Sequence, residues 1–230
     1  MKNKVIGIIG GMGPEASQYF YGLLTKKAQK EFGATKNDQF PEIIIDSVPV
    51  PDFITDTEQL NIARVMLRER VKQLSKLPIS FFCMACNTGH VLIDDLREVT
   101  DRPFISLLEE VPELIKKSGY SKVGLMATPM TIKLGLYNKP LNKKGIEVIT
   151  PSAKQQAMLG KVIKETVAGK NQEENSVTVQ KIARELLDGG AEAILETCTE
   201  IPLIFPKQHL VPVYDSLEIL ANAVLTRYYK

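Results

Sequence analysis

Eight short apolar runs, separated by longer segments with helical patterning or by turns, constrain the fold of this chain most strongly. The intervening segment Thr57–Leu77 has the apolar spacing of an amphipathic helix, and Pro78 ends it. Alternation of such helices with short buried strands predicts parallel sheets of the α/β class. The runs cover residues 5–9, 43–45, 79–84, 104–107, 122–126, 145–149, 193–196 and 212–214.

The runs divide into two sets of four that follow the same order along the chain. An internal duplication is the simplest description of this pattern. We therefore predict two similar α/β domains, each built on a four-stranded parallel sheet flanked by helices. The expected boundaries are 1–100 together with 215–230 for the first domain, and 101–214 for the second.

A cysteine follows the third run of each set, and each cysteine precedes a pair of polar residues. Cys86 is followed by Asn87 and Thr88, and Cys198 is followed by Thr199 and Glu200. Open α/β sheets bind ligands at the carboxyl ends of their strands. Short helices predicted after each cysteine would favour its thiolate form. The two thiols are thus predicted at equivalent positions of two ligand-binding edges.

Composition excludes several classes of partner. The formal net charge is +2, with acids and bases nearly balanced and without long runs of one sign, so neither nucleic acid nor an anionic membrane is expected as a partner. No apolar run reaches membrane-spanning length. Three cysteines, an odd number, favour a reducing compartment over a disulfide framework. We expect a cytoplasmic protein that binds a small molecule.

Two other interpretations of the cysteines remain open. Cys83 and Cys86 form a C-x-x-C pattern that could be a redox dithiol, although Cys83 lies inside an apolar run and is expected to pack as a small hydrophobic residue. Cys83, Cys86, His90 and Cys198 could supply four zinc ligands, but without the paired spacing of structural zinc motifs, and no metal is expected. His90 can hydrogen-bond near Cys86, whereas His209 is expected at the surface.

A dinucleotide-binding fold is a further alternative. Residues 11–16 fit the pattern G-x-G-x-x-A after a strand, and Asp46 ends the next strand. Pro14 removes one backbone N–H from that turn, and Asp46 lies farther along than the usual spacing of about 20 residues. We therefore favour a tight turn beside a small polar ligand as the explanation of the glycines.

Two thiols on opposite sides of a substrate carbon can perform one particular reaction. One thiolate removes a proton from one face of the carbon, and the opposite thiol returns a proton to the other face. Cys86 and Cys198 would then interconvert the enantiomers of a substrate with an acidic Cα–H. Racemisation is the reaction that uses this arrangement.

Three motifs resemble the signatures of the cofactor-independent aspartate/glutamate racemases, and the similarity extends over nearly the whole chain. They are Val5–Pro14, Cys86–His90 and Cys198–Leu203. The resemblance implies two α/β domains related by a pseudo-twofold axis, an active site in the cleft between them, no cofactor, and commonly a homodimer. The implied substrates are aspartate or glutamate.

The resemblance also implies roles for individual residues. Cys198 would remove the α-proton of the L-enantiomer and Cys86 that of the D-enantiomer. The residues expected to line the pocket and hold the α-carboxylate or α-amino group are Met12, Gly13, Asn87, Thr88, Thr128, Thr131 and Thr199.

The sequence departs from the family pattern where the substrate side chain would bind. Phe53 stands where aspartate-specific relatives carry an arginine, and Val167 stands near the position of a lysine, with Lys164 and Lys170 flanking it. The side-chain specificity therefore stays open. The resting ionisation of the two thiols also stays open, because Glu200 next to Cys198 opposes the effect of the helix end. Alternatives are a maleate-isomerase-like or hydantoin-racemase-like enzyme, or a non-catalytic module that binds an amino acid or a dinucleotide.

Overall fold

The computed structural model describes residues 4–53, 57–206 and 211–230, so the prediction for His209 lies outside the described residues. The chain divides into two compact units. The first unit is Met1–Leu107 with Leu217–Lys230, and the second is Leu108–Ser216. The first unit extends beyond the expected boundary at residue 100, because residues 104 and 105 form a strand of its sheet.

Strands and helices alternate along the described chain. The first half contains β1 (Val5–Gly10), α1 (Pro14–Phe32), β2 (Glu42–Ser47), α2 (Thr57–Leu74), β3 (Phe81–Met84), α3 (Ile93–Arg97), β4 (Phe104–Ile105) and α4 (Leu107–Lys117). The second half contains β5 (Lys122–Ala127), α5 (Pro129–Leu134), α6 (Asn138–Lys143), β6 (Glu147–Ile149), α7 (Ala153–Val167), α8 (Gln172–Asp188), β7 (Ala193–Thr197), α9 (Ile201–Ile204), β8 (Val213–Asp215) and α10 (Ser216–Tyr229).

The two sheets have the same strand order, which confirms the predicted fold class. The order is β2-β1-β3-β4 in the first sheet and β6-β5-β7-β8 in the second, and all pairs are parallel. Thus β3 and β7 occupy equivalent central positions. Residues after these two strands leave their sheets at the carboxyl edge, beside the residues that follow β1 and β5.

Burial explains why the central strands are continuous apolar runs. Every residue of β1, β3 and β7 is buried, as expected for parallel strands covered on both faces. The edge strand β2 is only partly buried. Helices cover these sheets with apolar faces, and Leu67 and Val71 of α2 are fully buried against the first. The core of each unit therefore fixes the position of its strand ends.

Some helix boundaries differ from the sequence-based expectation. The helix predicted over Thr57–Leu77 ends at Leu74. The helix α8 begins at Gln172, and Glu173 and Glu174 in its first turn stabilise that end. Two short helices, α5 and α6, occupy the segment between β5 and β6. None of the described helices combines the length and the apolar character needed to cross a lipid bilayer.

Candidate active site

In the first unit, the predicted site residues come from two neighbouring strands. Met12 and Gly13 follow the carboxyl end of β1, while Cys86, Asn87 and Thr88 follow that of β3. β1 and β3 are paired, so these two segments leave the same edge of the sheet side by side. The first unit therefore brings five of the predicted residues together.

The turn after β1 is held by close backbone packing. Gly11 has φ 88°, and a Cβ on it would lie 2.5 Å from the backbone nitrogen of Val48. Its N–H donates to Ser17 Oγ at 2.9 Å, and Pro14 begins α1. Neither Gly11 nor Pro14 therefore presents an N–H to a phosphate, which disfavours the dinucleotide interpretation. Gly13 is partly exposed and remains available to a ligand.

Cys86 receives a backbone hydrogen bond at its sulfur. Its side chain is 6 % exposed, and the Gly89 N–H donates to Sγ at 3.3 Å. A Cβ on Gly89 would lie 2.9 Å from Met84 Sδ and 3.3 Å from Cys86 Sγ, so the close approach requires glycine. A donor directed at sulfur stabilises the thiolate more than the thiol.

His90 supports the backbone of Cys86. Its Nε2 accepts the Leu107 N–H at 3.1 Å, so Nδ1 carries the proton and donates to the Cys86 carbonyl at 2.7 Å. Burial lowers the pKa of His90 to about 4. The hydrogen bond to the Cys86 carbonyl raises this pKa, and the nearby charge of Arg97 lowers it further. The imidazole is thus neutral and structural, and it links the loop after β3 to the first residue of α4.

In the second unit, Thr128 and Thr131 form a cap next to the other cysteine. Thr128 follows β5, and its Oγ1 accepts the Thr131 N–H at 3.1 Å and donates to Thr131 Oγ1 at 3.0 Å. Cys198 and Thr199 follow β7, the strand paired with β5. These four predicted residues therefore share one edge, and the two threonine side chains are buried there.

Cys198 is hydrogen-bonded to a carboxylate. Its Sγ donates to Glu200 Oε2 at 3.0 Å, and Thr199 Oγ1 donates to the same oxygen at 2.9 Å. Cys198 is 2 % exposed and Glu200 is 6 % exposed. From the sequence, Glu200 is expected to oppose ionisation of Cys198. The sequence does not predict this hydrogen bond, because the contact depends on a side-chain conformation that no residue pattern specifies.

Cys83 packs in the core, as expected. It is fully buried in β3, and burial raises the pKa of its thiol far above the usual range. All three cysteines are free thiols. Within residues 4–53, 57–206 and 211–230, no group of three or more His, Cys, Asp or Glu side chains is arranged to hold a metal ion. Cys83 therefore differs chemically from the two strand-end cysteines.

The residues expected near a substrate side chain lie in two different environments, one buried and apolar and the other exposed. Phe53 is buried in the hydrophobic cluster of the first unit, and Met12 and Val50 pack against that cluster. Val167, at the end of α7, is exposed, as are Lys164 and Lys170. A surface pocket of about 320 Å³ in the first unit contains none of the predicted site residues. Its lining is Tyr21, Thr25, Asn37, Phe40, Pro41 and Ile43.

Comparison with known proteins gives a consistent result. The family model described as Asp/Glu/Hydantoin racemase matches residues 9–224. The broad specificity amino-acid racemase RacX of Bacillus subtilis (strain 168) is 25% identical over 225 residues, which cover 97% of this chain and 98% of RacX.

Two solved structures are similar over almost their whole length. An aspartate racemase homologue from Pyrococcus horikoshii OT3 superposes with a TM-score of 0.81 at 29% identity, covering 99% of this chain and 100% of the homologue. The aspartate racemase of Picrophilus torridus superposes with a TM-score of 0.83 at 27% identity, covering 98% of this chain and 94% of that racemase. These matches extend across both units.

Proposed function

The chain belongs to the Asp/Glu/hydantoin racemase family, and we propose that it interconverts L- and D-amino acids through Cys86 and Cys198 without a cofactor. In this proposal Cys198 takes the α-proton of the L-enantiomer and Cys86 that of the D-enantiomer. As the resemblance implies, the two thiols act on opposite faces of one Cα. The substrate is a small molecule, and the reaction is an isomerisation.

The equivalent placement of the two cysteines carries this proposal. Each follows the central strand of a four-stranded sheet, and each has its sulfur hydrogen-bonded to a group of the same strand-end segment. A structural cysteine in a strand, such as Cys83, has no need of such a partner. Two thiols in matching topological positions are what a two-base racemase requires.

The chemistry also needs groups that stabilise the carbanion. Removing the α-proton places negative charge on Cα and the α-carboxylate, and preorganised hydrogen-bond donors lower the energy of that intermediate. We propose Asn87, Thr88 and Thr199 for this task, since Asn87 and Thr88 are the two residues after Cys86 and Thr199 is the residue after Cys198. Met12, Gly13, Thr128 and Thr131 complete the proposed binding surface.

Aspartate or glutamate is the proposed substrate. A second candidate is an amino acid with an uncharged side chain, which two observations favour. Phe53 lies in an apolar cluster together with Cys86, and RacX is described as having broad specificity. A hydantoin is a further candidate because the family description names it. A panel of these three substrate classes separates the candidates.

The decisive experiment follows hydrogen exchange at Cα in deuterium oxide. Wild type is expected to interconvert the enantiomers of at least one substrate on the panel and to incorporate deuterium at Cα, measured by NMR and chiral chromatography. Cys86→Ala and Cys198→Ala are each expected to lose racemisation by about 10²–10⁴-fold, the usual contribution of a general acid–base group.

Cys83→Ala is the matched control, because it removes a thiol that lies in the core instead of at a strand end. It is expected to retain racemisation. If wild type neither racemises nor exchanges the α-hydrogen of any amino acid or hydantoin on the panel, the proposed function is wrong.

We also propose a homodimer located in the cytoplasm. The family resemblance supports the dimer, and Ile62 and Val65 of α2, which are 47% and 64% exposed, are candidate contact residues. The odd number of cysteines, all of them free, supports a reducing compartment.

A further inference from the structure

The two catalytic thiols have opposite hydrogen-bond environments. Cys86 Sγ accepts a hydrogen bond from a backbone N–H, whereas Cys198 Sγ donates one to a carboxylate. We infer that Glu200 keeps the proton on Cys198 in the resting enzyme and receives that proton when Cys198 must act as the base, so that Cys86 is the resting thiolate. The catalytic part of this inference rests on the proposed function.

The geometry at Glu200 places the proton on sulfur. Its Oε2 accepts from both Cys198 Sγ and Thr199 Oγ1, and an oxygen that accepts two hydrogen bonds is best satisfied as part of a carboxylate. A free carboxyl group ionises at about pH 4.3 and a free thiol at about 8.5. At neutral pH the shared proton therefore belongs to Cys198, and a thiolate there would stand beside a second negative charge.

The other acidic groups at this edge act in the same direction when they are ionised. Glu196 lies on β7 two residues before Cys198, and its register partner on β8 is Asp215. Like charges disfavour ionisation of a nearby thiol, so a carboxylate at either position adds to the effect of Glu200. In α5 and α9, the charged residue is Lys133, which is exposed to solvent in the last turn of α5.

The segments that follow β1, β3 and β4 contain no acidic residue as far as residues 13, 92 and 106. The turn after β1, residues 10–13, is uncharged, and β4 ends in Phe104–Ile105 followed by Ser106. The short 3-10 helix Thr88–Leu92 contributes His90, which is neutral because its pKa is lowered to about 4. The Gly89 N–H then favours the ionised form of Cys86.

The proton balance of each direction follows. With the D-enantiomer, the Cα–H bond breaks, the proton joins Cys86 Sγ and the electron pair stays on Cα; the Cys198 S–H bond then breaks and its proton joins the opposite face. With the L-enantiomer, the Cys198 S–H bond breaks first, and its proton joins Glu200 Oε2 and passes on to solvent water, while Cys86 Sγ takes a proton from water. The Cα–H bond then breaks, its proton joins the Cys198 thiolate and the electron pair stays on Cα. The Cys86 S–H bond breaks last, and its proton joins the opposite face of Cα.

Thermodynamics limits which measurements can reveal this asymmetry. Two enantiomers have equal free energy in solution, so kcat/KM must be the same in both directions for wild type and for every variant. The inequivalence of the thiols can therefore change kcat, KM and their dependence on pH. It never changes the ratio of kcat/KM for the L-enantiomer to kcat/KM for the D-enantiomer. Direct titration of the thiols avoids this restriction.

The test is a thiolate titration by ultraviolet absorbance near 240 nm on the unliganded protein. Cys198→Ser reports Cys86 alone and Cys86→Ser reports Cys198 alone, since burial keeps the Cys83 thiol protonated. The seven tyrosines contribute equally to both variants and cancel in the difference. Adding Glu200→Gln to each variant measures the effect of the carboxylate.

Cys86 is expected to ionise at a lower pH than Cys198. Glu200→Gln is expected to lower the midpoint of Cys198 by about one pH unit or more, a tenfold change in its ionisation constant, and to leave that of Cys86 unchanged. The exposed Glu173→Gln, which removes one carboxylate of the same unit, is the matched control. Glu200→Asp keeps the charge and should retain most of the difference.

The inference is overturned if Cys198 ionises at or below the midpoint of Cys86, or if Glu200→Gln does not move it. Racemase activity is measured in parallel, with the pH optimum of Glu200→Gln expected to shift downward. A correct titration order without racemisation would refute the proposed function alone. Racemisation with an unmoved Cys198 midpoint would refute this inference alone.

Discussion

At the scale of single residues, His90 gives the protein a stability that depends on pH. Its pKa is lowered from 6.5 to about 4 in the folded state, chiefly by burial. Below pH 6.5 the unfolded chain binds a proton at this position that the folded chain does not bind. The stabilisation is therefore complete above about pH 6.5 and is lost progressively as the pH falls to about 4.

We predict that His90→Gln removes this part of the pH dependence. A shift of this size corresponds to about 3 kcal/mol between pH 6.5 and pH 4. Glutamine can still donate to the Cys86 carbonyl and accept from the Leu107 N–H, but it does not titrate. Urea unfolding at several pH values gives the difference in free energy of unfolding between wild type and His90→Gln, in which the contributions of the carboxyl groups cancel. Parallel curves for the two proteins would refute the prediction.

The residue scale also shows where sequence reasoning stops. The positions of Cys86 and Cys198 at strand ends followed from the apolar runs that precede them, because the end of such a run marks the end of a buried strand. The partner of His90 is Leu107, seventeen residues away, and only the folded path of the chain brings them together. The contact between Cys198 and Glu200 depends on a rotamer, which no spacing rule supplies.

At the scale of elements, α5 and α7 begin with similar N-caps, of which only the cap of α5 belongs to the proposed binding surface. Thr128 caps α5 through the Thr131 N–H, and Ser152 caps α7 in a reciprocal capping box with Gln155. Pro129 at the first position of α5 matches Pro14 at the start of α1, so each helix that follows the first strand of a unit begins with proline.

We predict that Thr128→Ala and Ser152→Ala each lower the free energy of unfolding by about 1 kcal/mol, the typical value of an N-cap. Only Thr128→Ala is expected to lower kcat/KM, because Thr128 lies at the proposed site and Ser152 does not. Thr128→Ser should restore both the cap and the activity. Equal kinetic effects of Thr128→Ala and Ser152→Ala would remove Thr128 from the site.

Elements were predicted unequally well. The long helix α2 and the buried strands followed from the apolar patterns, and the parallel direction of the strands followed from their alternation with helices. The helices α5 and α6 have only six residues each, too few turns for a periodic pattern to emerge. Gly135, with φ 63°, ends α5 and was the available signal for a helix boundary.

At the scale of the whole molecule, α10 belongs to the first unit although it follows the second in sequence. Its residues Leu217, Leu220 and Val224 are fully buried. Tyr229 stacks on Phe32 of α1, and Tyr228 Oη accepts the Glu42 N–H at 3.2 Å. The sequence predicts that residues 215–230 join the first domain and sets the boundary at residue 100, before β4, whose two residues are too few to define a strand pattern.

We predict that Leu220→Ala destabilises the first unit by about 2–5 kcal/mol, the usual effect of truncating a buried leucine. Hydrogen exchange measured by mass spectrometry should accelerate more in β1 and β3 than in β5 and β7. Leu159→Ala, which truncates a fully buried leucine of α7, is the matched variant for the second unit and should show the reverse pattern. Uniform acceleration in both variants would show that the units unfold together.

The discontinuity of the first unit has a consequence for how the protein is made. A ribosome synthesises β1–β4 before the second unit, but α10, the helix that completes the first unit, is synthesised after the second unit. The second unit is one continuous segment, and all of its residues have been synthesised before α10. The second unit, although it is translated later than β1–β4, can therefore finish folding before the first unit does. Until α10 has been synthesised, the apolar surface of the first unit that α10 covers stays exposed in the nascent chain.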